Sequence, residues 1–254
     1  MNEKMQVASL ALASFLLLAV PAWAVKPPET PEQIAKGNAI YERSCILCHG
    51  AAGEGDGPAA FFIASYGAPR PQNFHTDYFK FRSTPSGMLP TDDDLFRTLT
   101  RGIPGFMPSF AGLTEQQRWQ AIYYIKSFNP KFQTTKPERF EIEIGAPHIP
   151  TRGHLTLGRR LYREAGCIEC HGESGRGDGP SAPTLEDYRG LHIPPADLTN
   201  PTAFKNGSDQ EDIYRSIMTG LNGTPMPSFA DAFEGMEDDV WHLVHYILSL
   251  SKKR

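Results

Sequence analysis

One six-residue pattern occurs twice in this chain, and no other feature limits its architecture as strongly. Cys45-Ile46-Leu47-Cys48-His49-Gly50 returns as Cys167-Ile168-Glu169-Cys170-His171-Gly172, displaced by 122 residues. The match runs on, with Gly53-Glu54-Gly55-Asp56-Gly57-Pro58 answered by Gly175-Arg176-Gly177-Asp178-Gly179-Pro180. Further along, Asp94-Leu95-Phe96-Arg97 aligns with Asp212-Ile213-Tyr214-Arg215, and Met107-Pro108-Ser109-Phe110 with Met226-Pro227-Ser228-Phe229. Trp119 and Trp241 keep the displacement of 122. Self-similarity of this kind marks copies of one structural unit. The chain therefore divides into a first copy over 25–129, a connection over 130–151 and a second copy over 152–254.

Each copy reads as helices joined by long loops. Gly37–Ser44 and Gly158–Ala165 are short helical stretches that run into the cysteine pattern. Asp92–Thr100 and Asp209–Thr219 open on acidic residues, which suit a helix N-terminus, and stop at Gly102 and Gly220. The last helices, Thr114–Phe128 and Asp238–Leu250, carry apolar residues at helical spacing, among them Trp119, Ile122 and Ile125, and Trp241, Val244 and Ile247. Asn129–Thr151 holds four prolines and reads as an extended connection. Within it, Phe140-Glu141-Ile142-Glu143-Ile144 alternates as a short strand would. Tyr41/Tyr162 and Trp119/Trp241 are expected to pack the first helix of each copy against the last.

The N-terminus reads as a targeting signal. Lys4 precedes an apolar stretch from Val7 to Val20, and Ala22-Trp23-Ala24 supplies a small-residue cleavage pattern, so residues 1–24 are expected to be a removable signal peptide. A stretch of fourteen residues falls short of the about 20 needed to span a bilayer. The mature chain is thus expected to be exported, periplasmic and without a transmembrane segment.

All four cysteines of the chain lie in the two C-x-x-C-H patterns. A thioredoxin-like redox pair needs a β-α-β setting, and here the pattern follows a helix. Paired C-x-x-C zinc sites sit about 15–20 residues apart, far closer than these two. C-x-x-C-H is the attachment pattern of haem c: two thiols one helical turn apart reach two vinyl groups, and the adjacent imidazole reaches the iron. Cys45, Cys48 and His49 would hold one haem, and Cys167, Cys170 and His171 a second. For the opposite axial position only Met107 and Met226 occupy the same place in both copies, 58 and 55 residues after their histidines. Met88 has no counterpart, Met218 aligns with Thr100, and Met236 falls in an insertion.

On these residues each half resembles a class I cytochrome c domain, and the tandem resembles the di-haem cytochromes c of bacterial respiratory chains. The resemblance implies an all-α, loop-rich fold of two consecutive cytochrome c class I-like domains, each wrapped around a covalent haem. It further implies single-electron transfer between redox protein partners, a donor and an acceptor, and association with a membrane respiratory complex. Di-haem peroxidases and thiosulfate dehydrogenases also carry two such motifs. Because both copies keep the same Met-Pro-Ser-Phe loop and no cysteine is spare, a carrier without catalytic residues is favoured over an enzyme; a subunit of a larger oxidoreductase is the other alternative.

The remaining expectations concern the surroundings of the haems. Each motif histidine is expected to donate its second N–H to a carbonyl near Pro58 or Pro180. Arg82 and Lys205, each following a phenylalanine, are candidates to pair with haem propionates. His75, His192, His242 and His245 have no counterpart of the same type and are read as surface or core residues. The net charge of -4 argues against nucleic acid as a partner. It lies wholly in residues 152–254, with 11 basic and 15 acidic side chains, against 10 and 10 in residues 25–129. The second copy therefore suits a basic partner.

Overall fold

The computed structural model describes residues 26–65 and 69–251; the signal peptide expected over 1–24 lies outside them. Among the described residues there is no strand, only two isolated bridges, Ile103 with Met107 and Glu186 with His192. The first copy holds α1 (Pro31–Ser44), α2 (Ile46–His49), α3 (Pro58–Ser65), α4 (Asp92–Arg101) and α5 (Glu115–Ser127). After α6 (Lys131–Thr134), the second holds α7 (Arg152–Glu164), α8 (Cys167–His171), α9 (Gln210–Thr219) and α10 (Glu237–Leu250).

Local chemistry sets the helix ends. Thr30 accepts a bond from the Gln33 amide ahead of Pro31, and Thr151 does the same for the His154 amide. Both first helices thus begin about two turns earlier than their apolar spacing suggests, at a capping residue whose loss costs about 0.5–2 kcal/mol. Thr91 with Asp94, and Thr114 with Gln117, form reciprocal capping boxes at α4 and α5.

The first and last helices of each copy cross at a glycine. A Cβ on Gly37 would lie 2.0 Å from the Gln120 carbonyl oxygen, and one on Gly158 would lie 2.0 Å from that of His242. Beside the crossings, Tyr41 packs on Tyr124 at 5.2 Å and Tyr162 on Tyr246 at 5.4 Å, between ring centroids. The tryptophans share core clusters with the first helices, Trp119 with Ile40 and Trp241 with Tyr162, and their rings make a further junction. Trp119 stacks on Phe96 of α4 at 4.4 Å, and Trp241 lies on Tyr214 of α9 at 4.6 Å. The tyrosines join first helix to last, and the tryptophans join last helix to the middle one.

The connection is more folded than its prolines suggest. It forms α6 and a 3-10 turn over Pro137–Phe140, and the alternating Phe140–Ile144 segment forms no strand. The Ile142 amide donates to the Ser83 carbonyl of the first copy at 2.8 Å, while Ile142 and Ile144 pack on the core of the second. Their alternation serves side-chain burial rather than a ladder.

The two copies meet along a polar seam. Arg101 reaches Asp212 at 2.5 Å, and the Ser86 hydroxyl and Gly87 amide donate to Asn222 Oδ1 at 3.1 and 3.0 Å. Tyr78 and Tyr188 lie 4.7 Å apart by ring centroids. Arg82 is fully buried at this seam.

Candidate haem sites

In both copies the motif follows directly on the first helix. The Cys45 amide closes α1 by donating to the Tyr41 carbonyl at 2.8 Å, and α2 then carries Cys48 and His49. In the second copy Gly166, at φ 74°, makes the left-handed turn that leads into α8. The Tyr41 hydroxyl donates to the Gly50 carbonyl at 2.7 Å, and that of Tyr162 to Gly172 at 2.9 Å. Burial pushes both phenols well above their ordinary range, so both stay donors. Each first helix is thereby tied to the residue after the motif histidine.

The glycine-rich loops fold back behind the motifs. Gly55 and Gly57 donate to the His49 and Cys48 carbonyls at 2.9 and 3.2 Å, and Gly177 and Gly179 to His171 and Cys170 at 2.9 and 3.1 Å. The repeated glycines thus supply backbone donors where side chains would collide. A Cβ on Gly57 would lie 2.4 Å from the Leu47 carbonyl oxygen, and one on Gly179 the same distance from that of Glu169.

The four cysteines form no disulfide with one another. Burial, reinforced by Cys48, pushes the Cys45 thiol up to about 11, and burial does the same for Cys167.

His49 Nδ1 lies 3.2 Å from the Gln72 carbonyl oxygen, and His171 Nδ1 lies 3.0 Å from that of Ala196. A carbonyl only accepts, so Nδ1 carries the proton and Nε2 remains the basic nitrogen. Burial lowers both imidazole pKa values, which favours the neutral ring a metal ion requires. In tautomer and charge both histidines fit an axial position on haem iron.

The expected acceptors near Pro58 and Pro180 are corrected by these contacts. The glycines before those prolines are spent on the cysteine carbonyls, and it is the following loop that returns to the imidazole. Its anchors are Phe74 N to Gly53 O at 2.8 Å and Leu198 N to Gly175 O at 2.6 Å. A weak signal for it was present: Pro71-Gln72-Asn73-Phe74 and Pro195-Ala196-Asp197-Leu198 share a proline and an Asn/Asp two residues later. In the first copy Phe74 also stacks on His49 at 4.6 Å.

The two Met-Pro loops share their anchors. Ile103 N donates to Met107 O at 2.8 Å, and Leu221 N to Met226 O at 3.0 Å. Phe110 N and Phe229 N return to the Leu99 and Ile217 carbonyls, each at 3.1 Å. The Ser109 hydroxyl donates to the Thr100 carbonyl at 2.6 Å, and the Ser228 hydroxyl to that of Met218 at 2.5 Å. Thr100 and Met218 thus occupy equivalent places, and Met218 packs in the core of the second copy. Met236 is 51% exposed at the start of α10.

The two cationic side chains expected near the haems are engaged at the seam. Arg82 donates through Nη2 to the Thr219 carbonyl at 2.5 Å, through Nη1 to that of Gly220 at 3.4 Å, and through Nε to that of Pro85 at 3.2 Å. Burial lowers its pKa to about 10, against the opposing field of Asp94. Lys205 lies over the ring of Phe106 at 4.5 Å. Of the four unmatched histidines, His242 and His245 are grouped with His154 and His148, with neighbouring ring centroids 4.5–6.1 Å apart. This grouping of residues far apart in sequence carried no sequence signal.

Helix, C-x-x-C-H turn, glycine loop and Met-Pro loop, built twice on glycine-crossed helices, define a duplicated all-α module of the covalent-haem class. The chain belongs to the cytochrome c family: the family model Cytochrome c matches residues 34–129 and again 155–251. Membership implies covalently bound haem c. Among solved structures, a chain of the Kuenenia stuttgartiensis reducing HAO-like protein complex Kustc0457/Kustc0458 is 41% identical, with a TM-score of 0.78. The match covers 88% of this chain and 98% of that one. No curated protein sequence matches. Among the described residues no helix is long and apolar enough to cross a membrane.

Proposed function

We propose that this protein carries single electrons between redox protein partners in the periplasm, with one haem c in each copy. Cys45 and Cys48 would hold the first haem by thioether links, with His49 and Met107 as axial ligands. Cys167, Cys170, His171 and Met226 would do the same for the second. The observation that carries this reading is the pairing of Met107 and Met226 on loops with the same anchors, in copies whose motif histidines share one tautomer. A haem ligated by imidazole and thioether supplies one-electron chemistry at relatively high potential, because the soft neutral sulfur favours ferrous iron.

The chain's own residues bind and orient. The Gln72 and Ala196 carbonyls fix the imidazole planes, and the loop anchors hold each methionine backbone. In the first copy Leu47, Phe61 and Phe62 are 60%, 56% and 73% exposed, with the Arg70 guanidinium over the Phe61 ring. The second copy has Glu169 in place of Leu47 and a 3-10 turn over Ala182–Thr184 in place of α3. The difference supports two different partners, one for each copy.

A second reading makes the protein a fixed subunit of a larger oxidoreductase. It is favoured by the 41% identical relative, whose description places it in a protein complex. A spectroscopic redox titration of the purified protein tests electron transfer against catalysis. Two one-electron steps, with a methionine-to-ferric-iron charge-transfer band, are expected. A high-spin component that binds peroxide would overturn the carrier reading in favour of an enzyme.

A further inference from the structure

The seam between the copies runs over the methionine loops. Arg82, in the first copy, donates to the carbonyls of Thr219 and Gly220, where α9 ends and the loop bearing Met226 begins. The Thr219 hydroxyl lies 3.3 Å from the Arg82 carbonyl in return. Two residues into the loop, Asn222 Oδ1 accepts from Ser86 and Gly87, again from the first copy. Arg82 is 0% exposed and its bonds to Thr219 and Gly220 are buried, where losing a partner is most costly; the Asn222 bonds are part-buried. The opposite loop is held across the seam differently: Lys205 stands over Phe106, the residue before Met107, through a cation-π contact.

We infer that Arg82 is a positioning residue for the second copy's methionine, acting across the boundary between copies through the root of the Met226 loop. The inference rests on the proposed His/Met reading of the two sites. The loop's internal anchors set its shape, whereas Arg82 and Asn222 fix where that shape sits relative to the first copy. The guanidinium suits the task because its rigid fork meets two adjacent carbonyls and a third on its own strand of chain. Electron affinity at the second site thus depends on a residue of the first.

The test uses the full-length protein with both haems. In Arg82→Ala, the methionine-to-ferric charge-transfer band is expected to fall to about half, reflecting one of two haems, and the potential of one of the two one-electron steps to drop. Arg82→Lys keeps the charge but gathers its donors on one nitrogen, and is expected to restore part of both signals. Asn222→Ala should shift the same step by less. Arg101→Ala, which cuts a seam ion pair near the start of α9 and at the root of the Met107 loop, should leave in place the step that Arg82→Ala shifts.

Three results would overturn the inference: an unchanged spectrum in Arg82→Ala, an equal change at both haems, or the same change in Arg101→Ala. If Arg82→Ala fails to mature with two haems, Arg82→Lys and Asn222→Ala decide, and wild-type behaviour in both rejects the inference. Absence of the band from the wild-type protein would instead reject the methionine ligands themselves.

Discussion

Gly37 of α1 rests against Gln120 of α5 with no room for a methyl group: a Cβ there would lie 2.0 Å from the Gln120 carbonyl oxygen. Gly158 and His242 repeat the relationship in the second copy. Gly37→Ala and Gly158→Ala are each expected to destabilise their own copy by about 1–3 kcal/mol through forced separation of the helices. Gly112→Ala, at a site with nothing within 4 Å, serves as the control. Thermal melts followed at each haem's absorbance measure the effect, and equal melting of all three variants would be the contrary result.

The tyrosines that tie the first helices to the motifs predict a smaller cost. Tyr41→Phe leaves the Gly50 carbonyl without its donor, and Tyr162→Phe does so for Gly172. Each is expected to cost about 1–3 kcal/mol, the penalty of an unsatisfied buried acceptor. Denaturant melts that show no shift in midpoint would exclude this role.

The methionine assignment predicts a clean pattern among variants. Met107→Ala and Met226→Ala should each abolish about half of the charge-transfer band and lower one potential, since a thioether ligand raises it. Met236→Ala, at a side chain 51% exposed, should change neither. Loss of the band in that control, or its survival in a Met107→Ala, Met226→Ala double variant, would contradict the assignment.

Acid should weaken the second copy before the first. The His242 and His245 imidazoles are held below their ordinary value of 6.5, chiefly by burial and then by neighbouring rings, His154 first; Asp239 and Asp238 oppose this at His242. The remaining groups around them are His148, which approaches Asp238, and Gln210, which faces His245. Above pH 6.5 both rings are neutral whether the chain is folded or not, and nothing is lost. Below it the unfolded chain takes up protons that the folded chain refuses, so stability declines until the folded pKa values are reached. Melts of the second copy from about pH 7 to about pH 5 should show this slope, and His154→Gln should flatten it. A slope that is the same in both copies, or untouched by His154→Gln, would contradict the prediction.

The scaffold was largely legible because the repeat turned one sequence into two readings of the same unit. Ser109 and Ser228 show why: their hydroxyls reach Thr100 and Met218 in turn, the alignment that separates Met226 from Met218. What escaped were contacts between segments with no shared period. The Gln72 and Ala196 carbonyls belong to the backbone, which leaves no residue-type signature. Arg82 was singled out by type, yet its partners are carbonyls 137 and 138 residues away. The early starts of α1 and α7 were missed because their first turns are polar, so only the capping threonines and Pro31 marked them. The two isoleucines of the connection were read as a strand pattern because alternation reports a buried face, not what covers it.

Ile142 and Ile144 give that connection an unusual property. They lie N-terminal to Ile149, which is 85% exposed, yet they pack, half-buried, against the core that the later half of the chain builds. A single proteolytic nick at Ile149 would therefore cut the polypeptide without dividing the molecule. Each fragment would keep one cysteine motif. The pair would stay docked through the isoleucines, Arg82 and Arg101, and would separate only when the second core melts.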